Sequence, residues 1–311
     1  MKKSTDNKII IILGPSASGK TDLAIEIANK YKTYVISADS RQIYKKLNYS
    51  TGKIKIGDLK RGHPIMGSPL ITYGIKYYGY NILKPNKEYS AGDFVEYTKK
   101  IIIKEKSTPI ICGGTGMYIS SLVGNTSLSK VKRNTLFRKK LQKKTLFEIQ
   151  QILKKEGFNI ETLNNSEKNN KQRLIRKIEI IKSKQKNEEY FSLKKHCKTA
   201  GYLYIGLQKK DYKESIENWI DENFEEIKKE VEWLNLKYPK SHLFTGFIFK
   251  EMRDYLNNKS SIEKTKNLIT VSYLQYIKRQ MTYFKKYFPQ TVWFNNRKKA
   301  LEYIQKYKSL S

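Results

Sequence analysis

Ile9-Ile10-Ile11-Ile12-Leu13-Gly14-Pro15-Ser16-Ala17-Ser18-Gly19-Lys20-Thr21 joins an unbroken aliphatic run to the pattern G-x-x-x-x-G-K-[ST]. The run is short and wholly apolar, which predicts a strand buried on both faces. The eight residues after it predict a phosphate loop. Glycines let the backbone wrap so that successive N–H groups converge on phosphate oxygens, at a helix N-terminus already favourable to anions. Lys20 adds a positive point charge, and Thr21 can hold Mg²⁺. Between Thr21 and Lys32, the residues Leu23, Ala24, Ile27, Ala28 and Tyr31 recur at helical spacing, and Tyr34–Ala38 predicts a second strand. Strand, helix and strand within about 30 residues form a βαβ unit, which implies parallel strands and a right-handed crossover.

Further along, Gly52–Gly79 is rich in Gly and Lys with little period, Ala91–Ile103 is again helical, and Pro109–Cys112 is a third buried strand running into Gly113-Gly114. Beyond Gly124 the texture changes. Val131–Lys155 and Lys171–Lys186 show helical periods with Lys/Arg-rich faces and no intervening strand signal. Tyr202–Leu207 predicts a strand returning to the sheet. Helical segments then run through Trp233, Met252 and Leu268–Tyr287 before a short strand at Thr291–Phe294. This order predicts an α/β, P-loop NTPase-like parallel sheet flanked by helices. The core is expected to span 1–121 and 200–311, with a basic α-helical insertion over 122–199.

The composition limits what such a chain can be. Its 311 residues carry 62 Lys+Arg against 29 Asp+Glu, a formal net charge of +33. Apolar residues make up 39%, below the usual ~45–50%, but Ile, Leu, Tyr and Phe remain plentiful and aromatics reach 12%. A sizeable core can therefore form, and intrinsic disorder is excluded as a general description. Collagen-like, disulfide-scaffold and bilayer-spanning proteins are excluded too, since the longest strictly aliphatic run, Ile9–Leu13, is far short of the ~20 residues a spanning helix needs.

The charge points to a polyanionic partner. Lys outnumbers Arg 53 to 9, and Asn and Ile are also abundant, so A/T-rich codons account for part of the excess. Its distribution says more: residues 128–186 hold 18 Lys/Arg and 5 Asp/Glu, roughly twice the average basic density of the chain. Cys112 and Cys197 lie far apart, and His63, His196 and His242 provide no metal-ligand spacing. The opening residues lack an apolar signal-peptide core, so the expectation is a cytoplasmic protein with no membrane association.

Phosphate binding does not name a reaction. A nucleotide kinase, an ATPase or a diphosphate-releasing transferase could each use this loop. An NTPase usually has an apolar strand ending in a carboxylate that orders Mg²⁺. Here Pro109–Cys112 runs into Gly113-Gly114-Thr115-Gly116 with no acid. The acid instead follows the second strand, as Asp39 in Ile36-Ser37-Ala38-Asp39-Ser40. The C-terminal end of a parallel strand faces the binding crevice. Asp39 there suits a general base near an electrophile that carries diphosphate, a helix N-cap, or a Mg²⁺ ligand.

Several motifs together resemble the tRNA dimethylallyltransferase (tRNA isopentenyltransferase) family. Gly14–Thr21 is similar to its GPTASGKT loop. Asp39-Ser40-Arg41-Gln42-Ile43-Tyr44 is similar to DSxQxY, and Ser50-Thr51-Gly52-Lys53 to GTAK. Tyr89–Phe94 matches YSAGDF, and Gly113-Gly114-Thr115-Gly116-Met117-Tyr118 matches GGTGLY. Gln172-Arg173-Leu174-Ile175-Arg176 opens a segment like QRLxRALE, and Lys278-Arg279-Gln280-Met281-Thr282-Tyr283-Phe284 resembles KRQxTWF. The matches follow the family's order over nearly the whole chain.

The resemblance implies transfer of the dimethylallyl group from dimethylallyl diphosphate to N6 of the tRNA adenosine just 3′ of the anticodon, by a monomer aided by Mg²⁺. On this mapping the loop Gly14, Pro15, Ser16, Ala17, Ser18, Gly19, Lys20 and Thr21 holds the donor's diphosphate, and Thr21 the metal. Asp39 accepts the N6 proton, with Thr115 hydrogen-bonding near the reacting centre. Contacts to the tRNA anticodon stem-loop fall on Asp39, Ser40, Arg41, Gln42, Thr115, Gln172, Arg173, Leu174, Ile175, Arg176, Lys278, Arg279 and Gln280, with Arg138 a further match. The alternative is a P-loop nucleotide or small-molecule kinase using ATP. The chain also departs from the family pattern. Tyr77–Ile82 stands in place of an HHLID-like segment, Leu274 and Tyr283 replace an Arg and a Trp, and Gly246-Phe247-Ile248-Phe249 stands where a GYRQ-like element is expected.

Overall fold

The computed structural model describes residues 9–54, 69–105, 107–126, 129, 131, 133–183 and 201–309. Its strands are Ile9–Leu13 (β1), Val35–Ser37 (β2), Leu70–Thr72 (β3), Ile75–Tyr78 (β4), Ile110–Gly113 (β5), Tyr202–Leu207 (β6) and Val292–Phe294 (β7). They form one seven-stranded sheet in the order β3-β4-β2-β5-β1-β6-β7. All pairings are parallel except β3 with β4. β1 is buried along its length between β5 and β6, as a wholly aliphatic strand must be.

The β3–β4 hairpin is not foreseen in the sequence, nor are the helices Gly116–Val123 and Arg297–Ser309. Tyr73 (φ 47°) and Gly74 (φ 77°) form the hairpin's two-residue turn, with both residues left-handed. A three-residue strand is too short to show alternation, and Tyr-Gly is a weak turn signal. Of the predicted strands, β1 and β6 have the expected bounds, and β2, β5 and β7 are found with ends moved by one residue.

Two compact units make up the chain: Met1–Thr126 with Phe191–Ser311, and Ser127–Tyr190. In the first, Lys20–Lys30 (α1), Ala91–Glu105 (α2) and Gly116–Val123 (α3) pack beside the sheet. The second unit holds Thr135–Gln142 (α4), Leu146–Lys155 (α5), Asn165–Lys168 (α6) and Lys171–Lys182 (α7). The remaining helices, Lys213–Lys237 (α8), Phe249–Leu256 (α9), Ile262–Tyr287 (α10) and Arg297–Ser309 (α11), belong to the first unit. Cys197, His63 and the end of the predicted helix past Ser183 lie outside the described residues.

α8 shows why a Lys- and Glu-rich segment still forms a long helix: Ile216, Ile220, Phe224, Ile227, Val231 and Leu234 recur at three- and four-residue steps, and all are buried. They pack against Ile43, Leu47 and Met252 and against Ile269 and Ile277 of α10. In the second unit, Leu141, Ile149, Leu153, Leu174 and Ile178 make a separate small core. Its abundant Asn has a local role, because Asn134, Asn164 and Asn170 each accept a backbone N–H at a helix start. Among the described residues no helix is long and apolar enough to cross a membrane.

Candidate active site

The phosphate loop leaves the C-terminal end of β1 and turns into α1. Gly14 is required by close approach: a Cβ there would lie 2.5 Å from the Leu207 carbonyl oxygen and 2.8 Å from Ser18 Oγ. Ala17 (φ 62°) and Gly19 (φ 84°) supply the left-handed bends that wrap the loop. Lys20 is buried, and its Nζ donates to the Pro15 carbonyl at 3.0 Å. Ser18 Oγ is buried with no hydrogen-bond partner among the described residues.

Gln280, on α10, steadies this loop from behind. Its Oε1 accepts from the Ser16 N–H (3.2 Å) and its Nε2 donates to the Gly114 carbonyl (2.8 Å). One buried amide thus ties the phosphate loop to the turn after β5.

Asp39 stands at the end of β2 and is only 8% exposed. Its Oδ1 accepts from the Arg41 N–H (2.9 Å) and, at 3.4 Å, from the Gln42 N–H, while Oδ2 has no hydrogen-bond partner among the described residues. One carboxylate oxygen therefore caps the turn and the other stays available for chemistry, so the cap and base readings are compatible. Thr115, at the start of α3, fastens the adjoining turn: Oγ1 accepts from the Ser40 N–H (2.9 Å) and donates to Ser40 Oγ (3.2 Å), and its own N–H donates to the Ala38 carbonyl (3.0 Å). Gln42 is buried, accepting from Ser37 Oγ (2.9 Å) and donating to the Gly52 carbonyl (3.0 Å).

Asp39 and the phosphate loop line one cavity of about 340 Å³, in which Ser16, Lys20 and Thr21 share the wall with Asp39. Ile54, Ile216, Trp219 and Tyr273 give it an apolar side. The volume falls in the range of small-molecule sites.

Lys53 also lines this cavity, donating to the Tyr44 carbonyl (2.5 Å), Asn48 Oδ1 (3.3 Å) and Asn81 Oδ1 (2.7 Å). Burial lowers its ammonium to about 7 despite the carboxylates of Glu230 and Asp39 nearby. Glu230, from α8, anchors the same loop by accepting the N–H groups of Asn48 (2.6 Å), Tyr49 (3.0 Å) and Ser50 (2.9 Å). In the sequence Lys53 is only the last residue of a GTAK-like stretch, and no local pattern marks Glu230, Trp219 or Tyr273 as belonging to this site. Cys112, beneath the loop, is buried with its thiol pushed up to about 12 by burial, and is a packing residue.

Among the residues expected to touch RNA, Lys278 and Arg279 are exposed on α10, whereas Gln42 and Gln280 spend their amides on the internal bonds above. In the second unit Gln172 and Arg173 are exposed on α7. Leu174 and Ile175 correct the expectation: both side chains are buried in that unit's core and cannot reach RNA, because on α7 they occupy the apolar face. Arg138 and Arg176 converge on buried Glu179, with Arg138 donating through Nε (3.1 Å) and Nη2 (2.5 Å), and Arg176 through Nη1 (2.5 Å). Arg176 also donates to the Ser129 and Val131 carbonyls (3.1 and 2.9 Å).

Burial works against the Glu179 charge, but hydrogen bonds from Arg138, the Asn134 N–H and Arg176 hold it down to about 2. A carboxylate lowered in this way contributes its full stability above its ordinary pKa near ~4.3. That contribution drains away as pH falls toward about 2. Glu179→Gln is expected to cost about 3 kcal/mol, because two arginines then face each other without their counter-charge. Denaturant melts of variant and parent at pH 7 and pH 3 check this, and the gap between the two proteins narrows at the lower pH.

For a metal, the described residues contain no cluster of three or more His, Cys, Asp or Glu. The Thr21 hydroxyl and the Asp39 carboxylate on one cavity wall form a sparse oxygen set. Such a set fits Mg²⁺, which takes most of its ligands from substrate phosphates and water.

A phosphate loop at the end of a central parallel strand, with a carboxylate at the end of the next strand but one and no acid after β5, defines a phosphate-loop transferase. The IPP transferase family model matches residues 42–287, and the isopentenyl transferase model matches residues 7–65. The chain belongs to the IPP transferase family, and is a prenyltransferase. It is 32% identical to a tRNA dimethylallyltransferase of Pediococcus pentosaceus, over 89% of this chain and 88% of that protein. To the tRNA dimethylallyltransferase of Ehrlichia canis it is 30% identical, over 97% and 100%. The crystal structure of a tRNA isopentenylpyrophosphate transferase from Staphylococcus epidermidis is similar with a TM-score of 0.63 at 27% identity, covering 96% of this chain and 97% of that one.

Proposed function

We propose that this enzyme transfers the dimethylallyl group of dimethylallyl diphosphate to N6 of the adenosine immediately 3′ of the anticodon in tRNA, releasing diphosphate. The observation that carries the reading is that Asp39 and the phosphate loop line one cavity. The loop N–H groups and Lys20 would hold the diphosphate, with the hydrocarbon tail against Ile216, Trp219 and Tyr273. An exocyclic adenine amine is a weak nucleophile, so hydrogen bonding to a carboxylate raises its electron density as it attacks C1. The C1–O bond breaks with its electron pair going to the diphosphate, and Asp39 takes the N6 proton. Thr21 would hold Mg²⁺ together with the diphosphate, and the ion would add charge stabilisation to the leaving group.

Exposed Gln172, Arg173, Lys278 and Arg279 are candidate contacts to the anticodon stem-loop, and the basic helices of 127–190 supply phosphate-binding charge. Replacing both Lys278 and Arg279 by Ala is expected to weaken tRNA binding across sequences. The salt slope should fall by about 1 for each phosphate that is no longer neutralised. Titrations of tRNA at several salt concentrations measure this.

The kinase alternative is not favoured, since β5 ends without the acid that orders Mg²⁺ for an NTPase and the family match spans most of the chain. One assay separates the readings: protein with unmodified tRNA, supplied with dimethylallyl diphosphate or with ATP and small-molecule acceptors. Prenylated adenosine, detected by mass spectrometry, is the expected product. Phosphoryl transfer without it would favour a kinase, and binding without either product an RNA adaptor.

A further inference from the structure

Arg41 is a partly buried cation that the reaction above does not use. Its guanidinium lies over the Phe247 ring at 4.0 Å from the centroid, with the Tyr276 ring 5.6 Å away. Nη1 donates to the Phe247 carbonyl at 3.0 Å, and this is the only hydrogen bond that the side chain makes among the described residues. A guanidinium has five N–H donors in a rigid fork. Most of that capacity is therefore held in place and unspent.

The slot that orients it is built for it. A Cβ on Gly246 would lie 2.8 Å from Arg41 Nη2, so a side chain there would push the guanidinium from its place. Ile248, just beyond, adopts φ 71°, which is costly for a β-branched residue and keeps the chain turned around the guanidinium. No carboxylate pairs with Arg41 within ion-pair distance among the described residues. Burial pushes the guanidinium below its ordinary value, although Asp39 and Glu251 lie close enough to offset part of that cost without pairing with it directly.

Arg41 opens onto a small annexe of about 20 Å³, which it shares with Ser16 of the phosphate loop and with Asp39. That volume admits one water-sized group, such as a single phosphate oxygen, and not a purine ring. The annexe also touches Ile248, which stands in the element where the resembled motif carries arginine. Leu274, at the second lost arginine, packs in the same helical layer.

We propose that the Arg41 guanidinium is a ligand of the donor's diphosphate, on the Asp39 side of the cavity, rather than a contact to tRNA. This rests on the prenyl-transfer reading. As N6 attacks C1, the electron pair of the breaking C1–O bond passes to a diphosphate oxygen. Arg41 takes up that charge from one side while Lys20 and the loop N–H groups take it from the other. A fork fixed on an aromatic ring needs no reorganisation when the charge appears.

The test compares Arg41→Met, which keeps the stem on Phe247, and Arg41→Lys, which keeps the charge, with the parent enzyme. The measurements are KM and kcat for dimethylallyl diphosphate, inhibition by inorganic diphosphate, and tRNA affinity. The methionine variant is expected to lose about 10²–10³-fold in kcat/KM for the donor and to bind inorganic diphosphate at least about tenfold more weakly. Its tRNA affinity stays within about twofold, and the lysine variant recovers part of the loss. Gly246→Ala, which displaces the guanidinium without removing it, is expected to reproduce the donor defect. Unchanged diphosphate inhibition in both Arg41 variants overturns the proposal, and so does a defect confined to tRNA binding. A parent enzyme that makes no prenylated tRNA overturns the underlying function instead, which the same assay shows separately.

Discussion

Asp39→Ala is expected to lower prenyl transfer by about 10²–10⁴-fold while tRNA affinity stays near that of the parent. Asp39 lines the same cavity as the phosphate loop, with Oδ2 free of hydrogen bonds among the described residues, and on the proposed reading its removal takes away the acceptor of the N6 proton. The capping bonds to Arg41 and Gln42 are lost as well, so a second variant separates the two roles. Asp39→Asn keeps an oxygen for the cap at 2.9 Å from the Arg41 N–H but cannot take a proton. If the base role is right, the asparagine variant is nearly as slow as the alanine variant yet melts close to the parent temperature. Turnover near the parent rate in either variant would remove Asp39 from the chemistry.

Lys20→Met is expected to cost about 10²–10³-fold in kcat, with a weaker grip on inorganic diphosphate. Lys20 is the one loop side chain with a formal charge, and it is held over the loop by the Pro15 carbonyl at 3.0 Å. Methionine fills nearly the same volume, so the fold and the Gln280 clamp on Ser16 should persist. The loss is expected to fall on kcat more than on KM, because the negative charge on the leaving diphosphate grows as the C1–O bond breaks. Steady-state kinetics with a thermal melt of the variant check both halves of this expectation.

How far the site could be read before folding depends on the range of the interactions that build it. The loop 14–21 and the helix after it are local: the glycines, the lysine and the apolar period lie within one short stretch. Asp39 was legible because it follows a strand, and strand ends face the crevice in parallel sheets. Arg176 and Arg138 were harder. An exposed basic face and an internal ion pair look alike in sequence, and only the approach of Glu179 decides that their charge is used inside the unit. Leu174 and Ile175 were swept into a binding motif by adjacency, although on a helix neighbouring residues point in different directions. The β3–β4 hairpin stayed hidden because its first strand has three residues and draws its stability from pairing with the rest of the sheet.

The chain's own residue order determined the phosphate loop, the parallel sheet around β1, the basic helical segment and the family, since each is written in local spacing or in ordered motifs. Tertiary structure alone decided what surrounds the chemistry. Gln280 reaches Ser16 across 264 residues and Glu230 holds Ser50 across 180. Arg41 lies on an aromatic ring about two hundred positions away and borders the small annexe that Asp39 and Ser16 also line. Hydrogen bonds and ring contacts act over a few ångströms, and one-dimensional spacing carries no record of which distant groups the packed helices bring within that reach.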